Sequence, residues 1–145
     1  MVSVEVVRLD PDLPLPAYAR EGDAGLDLMA REPAHLPAGG GRALVGTGVA
    51  LALPPGWAGL VLPRSGLALH HGVTCLNAPG LIDPGYRDEV KVILVNTDPG
   101  RGYDVARGDR IAQLVVQPVE AVELRAVATL AGSARGLGGF GHTGR

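Results

Sequence analysis

The stretch EVKVILVN at Glu89–Asn96, with its companion RIAQLVVQPV at residues 110–119, decides the fold class. Both are short runs crowded with Val, Ile and Leu and bounded by turn residues, which is how β-strands read in sequence. Outward from them the same signature returns. Residues 2–9 (VSVEVVRL) mix valines with polar positions, and residues 57–62 (WAGLVL) follow a Pro-Pro-Gly turn. Residues 43–53 (ALVGTGVALAL) are apolar with Gly46 and Gly48 inside, which predicts bulges or tight bends. Residues 121–129 (AVELRAVAT) form a further candidate strand whose alanines would also suit a helix. Turn clusters at residues 53–56, 83–85, 98–102 and 107–109 punctuate the chain. Many short strands at this spacing predict an all-β sandwich or barrel. One short helix is expected over residues 64–71 (RSGLALHH): Ser65 near its start and histidines near its end suit the helix dipole, while Gly66 works against it.

The length of 145 residues suits one domain, and a hydrophobic content of 46% suffices for a packed core. Aromatics make up only 3%, so that core must be aliphatic. The 22 glycines and 12 prolines argue for many turns and few long helices. A net charge of −2 gives no footprint for nucleic acid, although a few local arginines are enough for one small polyanion. Cys75 is the single cysteine, which excludes an internal disulfide and fits a reducing compartment. The first residues (MVSVEVVRLD) lack the features of a signal peptide, and no apolar run reaches membrane-spanning length. A cytoplasmic protein acting away from membranes is the expectation.

After Leu130 the chain changes character and reads AGSARGLGGFGHTGR. Residues 131–145 offer little to bury, and their glycines make ordering costly. They read either as a solubilising tail or as a flexible arm that folds over a ligand. Arg135 would then fork a phosphate and Phe140 would stack on a base. Residues 63–66 (PRSG) join Arg64 and Ser65 to the start of the expected helix, either as an anion site or as an ordinary cap. Residues 77–86 (NAPGLIDPGY) read as a wide β-hairpin loop, with Asp83 either a turn residue or a general base at a pocket mouth. Asp27, in the run DAGLD, is a surface charge or a contact for metal-bound water. In the run GDRIAQ, Asp109 and Arg110 read as a turn and ion pair, and Gln113 is a polar side chain in need of a partner.

Taken together and in order, these segments resemble the dUTPase family. The matching runs are AGLDL at residues 24–28, PRSGLA at 63–68, NAPGLIDPGYR at 77–87, GDRIAQLV at 108–115 and RGLGGFGHTG at 135–144. The resemblance implies a jelly-roll β domain over residues 1–130 and a C-terminal arm over 131–145. It implies a homotrimer with active sites between subunits, each closed by another subunit's arm. The implied reaction is hydrolysis of dUTP to dUMP and pyrophosphate. By resemblance, Asp83 activates the attacking water; Asn77, Gly80 and the loop backbone read uracil; Tyr86 lies on the deoxyribose. Arg64, Ser65, Gly66, Gln113, Arg135, Gly141 and His142 would hold the triphosphate, and Phe140 would stack on the base. Mg²⁺ is the implied cofactor, contacted by Asp27 through water. Two residues depart from the family pattern. Asp88 stands where Gly is common and is expected to point away from the site, and His142 stands where Ser is common. The rival readings are a dCTP deaminase of the same fold and a non-catalytic nucleotide-binding trimer.

Overall fold

The computed structural model describes residues 1–139. Its elements run β1 (Glu5–Arg8), β2 (Ala17–Tyr18), β3 (Leu26–Met29), β4 (Ala34–Leu36), β5 (Arg42–Ala52), β6 (Trp57–Leu62), α1 (Ser65–His71), β7 (Val73–Cys75), β8 (Gly80–Ile82), β9 (Glu89–Asn96), β10 (Tyr103–Val105) and β11 (Arg110–Pro118). The strands form a four-stranded sheet ordered β1-β5-β9-β7, a five-stranded sheet ordered β2-β3-β11-β6-β8, and a two-stranded ribbon of β10 and β4. The expected all-β architecture with one short helix is observed.

Alternation along the long strands makes the core. In β9, Val90, Val92 and Leu94 are buried while Lys91 is exposed. In β11, Ile111, Ala112 and Leu114 are buried, and with Leu28 of β3 and Val45 of β5 they join one cluster drawn from both sheets. Each such Val, Leu or Ile side chain contributes roughly 1.5–3 kcal/mol when fully buried. The buried amide of Asn96 is satisfied: it donates to the carbonyls of Leu36 (3.2 Å) and Arg101 (2.8 Å), and its oxygen accepts from the Asp98 N–H (3.0 Å).

The bulge expected around Gly46 and Gly48 is present. The β5–β9 register slips between Gly46 and Ala50, and Gly48 has a φ of 74°, which side chains other than glycine rarely tolerate. The helix starts one residue later than the sequence suggests. Arg64 occupies the N-cap position with extended backbone, Ser65 is the first helical residue, and no side chain caps the helix start. Its other end is closed by Gly72, whose N–H reaches the Leu67 and Ala68 carbonyls.

Residues 121–129 are neither strand nor helix, which corrects the candidate strand there. The ladder stops at Pro118, and residues 117–137 are exposed. The alternating Val and Leu of this segment pair with no strand of the chain, and Val122, Leu124 and Leu130 stand 79%, 92% and 88% exposed. No helix among the described residues is long and apolar enough to cross a membrane.

Candidate active site

The wide hairpin is formed by β7 and β9, which pair antiparallel with Cys75 opposite Leu94. Its loop does more than connect them. The short strand β8 leaves for the other sheet and pairs with β6, setting Gly80 opposite Val61 and Ile82 opposite Gly59. Gly80 permits this, because a Cβ there would stand 3.3 Å from Asn77 Nδ2 and 3.4 Å from Val61 Cβ. The loop folds against the outer face of β5 and β9, leaving a cleft of about 400 Å³ lined by Asn77, Asp83 and Tyr86 together with Leu44, Lys91 and Ile93.

Within that cleft Asp83 follows directly on β8 and is exposed. Its backbone carbonyl accepts the Tyr86 N–H at 3.1 Å, which makes the expected turn. Its carboxylate is the part that remains for chemistry. Tyr86 is held at its far end: its hydroxyl donates to the Glu89 carbonyl at 2.8 Å. Asp88 does not line the cleft. It accepts the Glu89 N–H at 2.7 Å and pairs with Lys91 Nζ at 3.6 Å, and these two contacts, the backbone bond first, hold its carboxyl below the ordinary range.

A second cluster forms on the five-stranded sheet. Asp27 on β3 lies opposite Gln113 on β11, which in turn lies opposite Leu62 at the end of β6. Arg64 follows two residues later. Asp27 is buried between two guanidinium groups, with Arg110 Nη1 3.3 Å from Oδ2 and Arg64 Nε 3.7 Å from Oδ1. Arg64 Nη1 also donates to the Arg110 carbonyl at 2.9 Å. Ser65 and Gly66 sit exposed at the helix start beside this group. The sequence reading missed the role of Arg110. Its partner is Asp27, across the register, while Asp109 accepts the Ala106 N–H at 2.8 Å within the turn. Only the pairing of β3 with β11 reveals this.

The two groups stand apart on one chain. Gly80 sits at the level of Val61 and Ile82 at the level of Gly59, so β8 carries Asp83 away from Arg64. The Ala58 level beside Asp83 lies six residues from Arg64, while Asn77 packs beside Gly80 at the level of Val61, three residues from Arg64. None of Asp27, Arg64, Ser65, Gln113 or Arg135 lines the cleft. Arg135 is exposed, and its Nε donates to the Gly138 carbonyl at 2.8 Å. Phe140, Gly141 and His142 lie outside the described residues.

Among the described residues no three His, Cys, Asp or Glu side chains gather as a metal cage. Asp27 Oδ1, however, is a buried oxygen with no hydrogen-bond partner. That donor set fits an ion held chiefly by phosphate oxygens and water, with one protein carboxylate beside it, as Mg²⁺ is commonly bound.

By fold the molecule is of the dUTPase type. It superposes on the dUTPase of Staphylococcus bacteriophage 80alpha, solved with dUPNHPP, with a TM-score of 0.89 and 26% identity over 100% of both chains. A mutant dUTPase from phage phi11 of S. aureus shares the fold at a TM-score of 0.80 and 24% identity, covering 88% of this chain and 98% of that one; its structure reveals the coordination of a structural Mg(II) ion. The dUTPase family model matches residues 12–144. The deoxyuridine 5'-triphosphate nucleotidohydrolase of Thermobifida fusca (strain YX) is 59% identical over 143 residues, covering 99% of this chain and 79% of that protein. The chain belongs to the dUTPase family.

Proposed function

We propose that the chain hydrolyses dUTP to dUMP and pyrophosphate, a reaction that keeps uracil out of DNA and supplies dUMP for thymidylate synthesis. The observation that carries this reading is the convergence of Asn77, Asp83 and Tyr86 on one cleft of about 400 Å³ in a chain of this family. That volume lies in the range of small-ligand sites.

The Asn77 amide offers both a donor and an acceptor to the uracil edge, and the backbone at Gly80 packs closely beside it. A site built on such hydrogen bonds rejects a base with the wrong edge by about 10⁴–10⁵-fold. The Tyr86 ring lies against the deoxyribose and leaves no room for a 2′-hydroxyl. The Asp83 carboxylate holds a water in line with the α-phosphorus and takes its proton, a contribution of about 10²–10⁴-fold. Arg64, Ser65, Gly66 and Gln113 neutralise and orient the triphosphate. Arg135, Gly141 and His142 complete that grip from the arm at residues 131–145, with Phe140 stacked on the base. Mg²⁺, when bound, supplies charge neutralisation at the phosphate oxygens. Asp27 contributes its unpartnered Oδ1 toward the ion's water shell, which requires the Arg64 guanidinium to move aside.

Homotrimeric assembly follows from the same reading. None of Asp27, Arg64, Ser65 and Gln113 lines the cleft of its own chain, and in this reading the arginine cluster of a neighbouring protomer faces it. The exposed side chains of Val122, Leu124 and Leu130 support a segment covered by another protomer. A reducing cytoplasmic setting suits the lone buried Cys75.

Pyrophosphate release from dUTP, dCTP, dTTP and UTP, each with Mg²⁺ and with chelator, tests the reading. Release confined to dUTP and lost with chelator is expected. Ammonia from dCTP would instead identify a deaminase, and dUTP binding without turnover a non-catalytic binder.

A further inference from the structure

We infer that Glu89, which lies outside the cleft lining, is a positioning residue that fixes Tyr86 and thereby sets selection of deoxyribose over ribose; this rests on the dUTP-hydrolysing reading above. Glu89 is bonded at both its backbone and its side chain. Its carbonyl accepts the Tyr86 hydroxyl at 2.8 Å, at the far end of the ring that lines the cleft. Its carboxylate turns the other way, into the β5 bulge, and accepts the Gly48 N–H at 2.8 Å. That N–H falls where the β5–β9 ladder slips register, so no strand partner is there to take it. Arg31 Nη1 stands 3.6 Å from the same carboxylate oxygen, and Arg31 Nε is 3.7 Å from Asp10, which Arg107 grips from the other side. The glycine at 46 makes the space, since a Cβ there would fall 2.6 Å from Glu89 Oε1.

The consequence is mechanical. Residue 89 is the first of β9, where the loop that carries Asp83 and Tyr86 rejoins the sheet. Thr47 Oγ1 donates to the next carbonyl, Val90, at 2.6 Å, so the bulge grips β9 at two successive residues. Without the Glu89 carboxylate the Gly48 N–H loses its acceptor, and the strand start keeps only the Thr47 bond and the pairing of Glu89 with Ala50. The carbonyl that anchors the Tyr86 hydroxyl is then held less firmly, at the ragged end of the β5–β9 ladder. A tyrosine that discriminates by leaving no space tolerates little shift, because about 1 Å admits a hydroxyl.

The test compares kcat/KM for dUTP with kcat/KM for UTP in the wild type, Glu89→Ala, Glu89→Gln, Tyr86→Phe and the Glu89→Ala/Tyr86→Phe pair. The ratio is insensitive to the fraction of folded protein, so a merely structural loss does not move it. Glu89→Ala is expected to lower the ratio about tenfold, the size of one lost hydrogen bond. Glu89→Gln keeps an oxygen for the Gly48 N–H and is expected to stay within about threefold of wild type. Tyr86→Phe should fall as Glu89→Ala does, and the double variant no further, because both act on one contact. Hydrogen exchange reads the tie without substrate: Gly48 protection should drop in Glu89→Ala and persist in Glu89→Gln. A wild-type preference for dUTP that survives unchanged in Glu89→Ala, or is lost equally in Glu89→Gln, overturns the inference alone. A wild type without that preference overturns the functional reading and this one together.

Discussion

Asp27 and its two arginines allow an asymmetric prediction about stability. The carboxylate is buried, whereas the Arg64 and Arg110 side chains are 28% and 49% exposed. At separations near 3.5 Å and an effective dielectric of about 20, each pair is worth roughly 4–5 kcal/mol before costs. Desolvation of the carboxylate offsets several kcal/mol of this, and the exposure of the arginines screens more. Asp27→Ala releases both guanidinium groups to water, which can hydrate them, so the net loss is expected near 1–2 kcal/mol. Arg64→Met/Arg110→Met strands a buried anion with no countercharge, and the expected loss is about 3–5 kcal/mol. Urea unfolding monitored by the lone Trp57, at one fixed protomer concentration, measures both. If the double arginine variant proves no less stable than Asp27→Ala, the carboxylate is not buried in the way described and the argument is wrong.

Two further outcomes follow from the site and the core. Asp83→Asn should bind dUTP with near wild-type affinity and lose about 10²–10⁴-fold in turnover, because the carboxylate serves the water and not the base. Retained turnover would remove Asp83 from the chemistry. Burial pushes the Cys75 thiol up to about 11, so the thiolate becomes abundant only as pH rises toward that value. At pH 8 about one thiol in a thousand is ionised. A disulfide reagent should therefore leave the native protein unlabelled and label it fully in guanidinium, and rapid native labelling would contradict the buried placement.

Apart from the four-residue β1, the strands legible in sequence were the long ones. β9 and β11 announce themselves by unbroken runs of β-branched and aliphatic residues, and the bulge in β5 by its two glycines. The strands missed have two to four residues, and most are held by partners distant in sequence, as β3 is by β11 and β4 by β10. Residues 121–129 failed in the opposite sense: the local pattern suits a strand, but no edge of the same chain receives it. At the site, the grouping of Asn77, Asp83 and Tyr86 was readable because one loop carries them. The pairing of Arg110 with Asp27 was not, because it depends on a register linking residues 83 positions apart. Nor does the sequence reveal that Glu89, two residues beyond the run 77–87, ties that loop to β5.

Because the cleft and the arginine cluster are built from different residues of each chain, a lesion in one leaves the other whole. Two defective alleles, one carrying Asp83→Asn and one carrying Arg64→Ala, would therefore complement each other when expressed together. Random mixing would rebuild about one site in four from two unmutated halves, if each site draws its halves from different protomers. Neither allele alone would build any. Sites shared in that way would make lesions of the cleft and of the arginine cluster separate faults, both of which a mixed oligomer can repair and neither of which a pure one can.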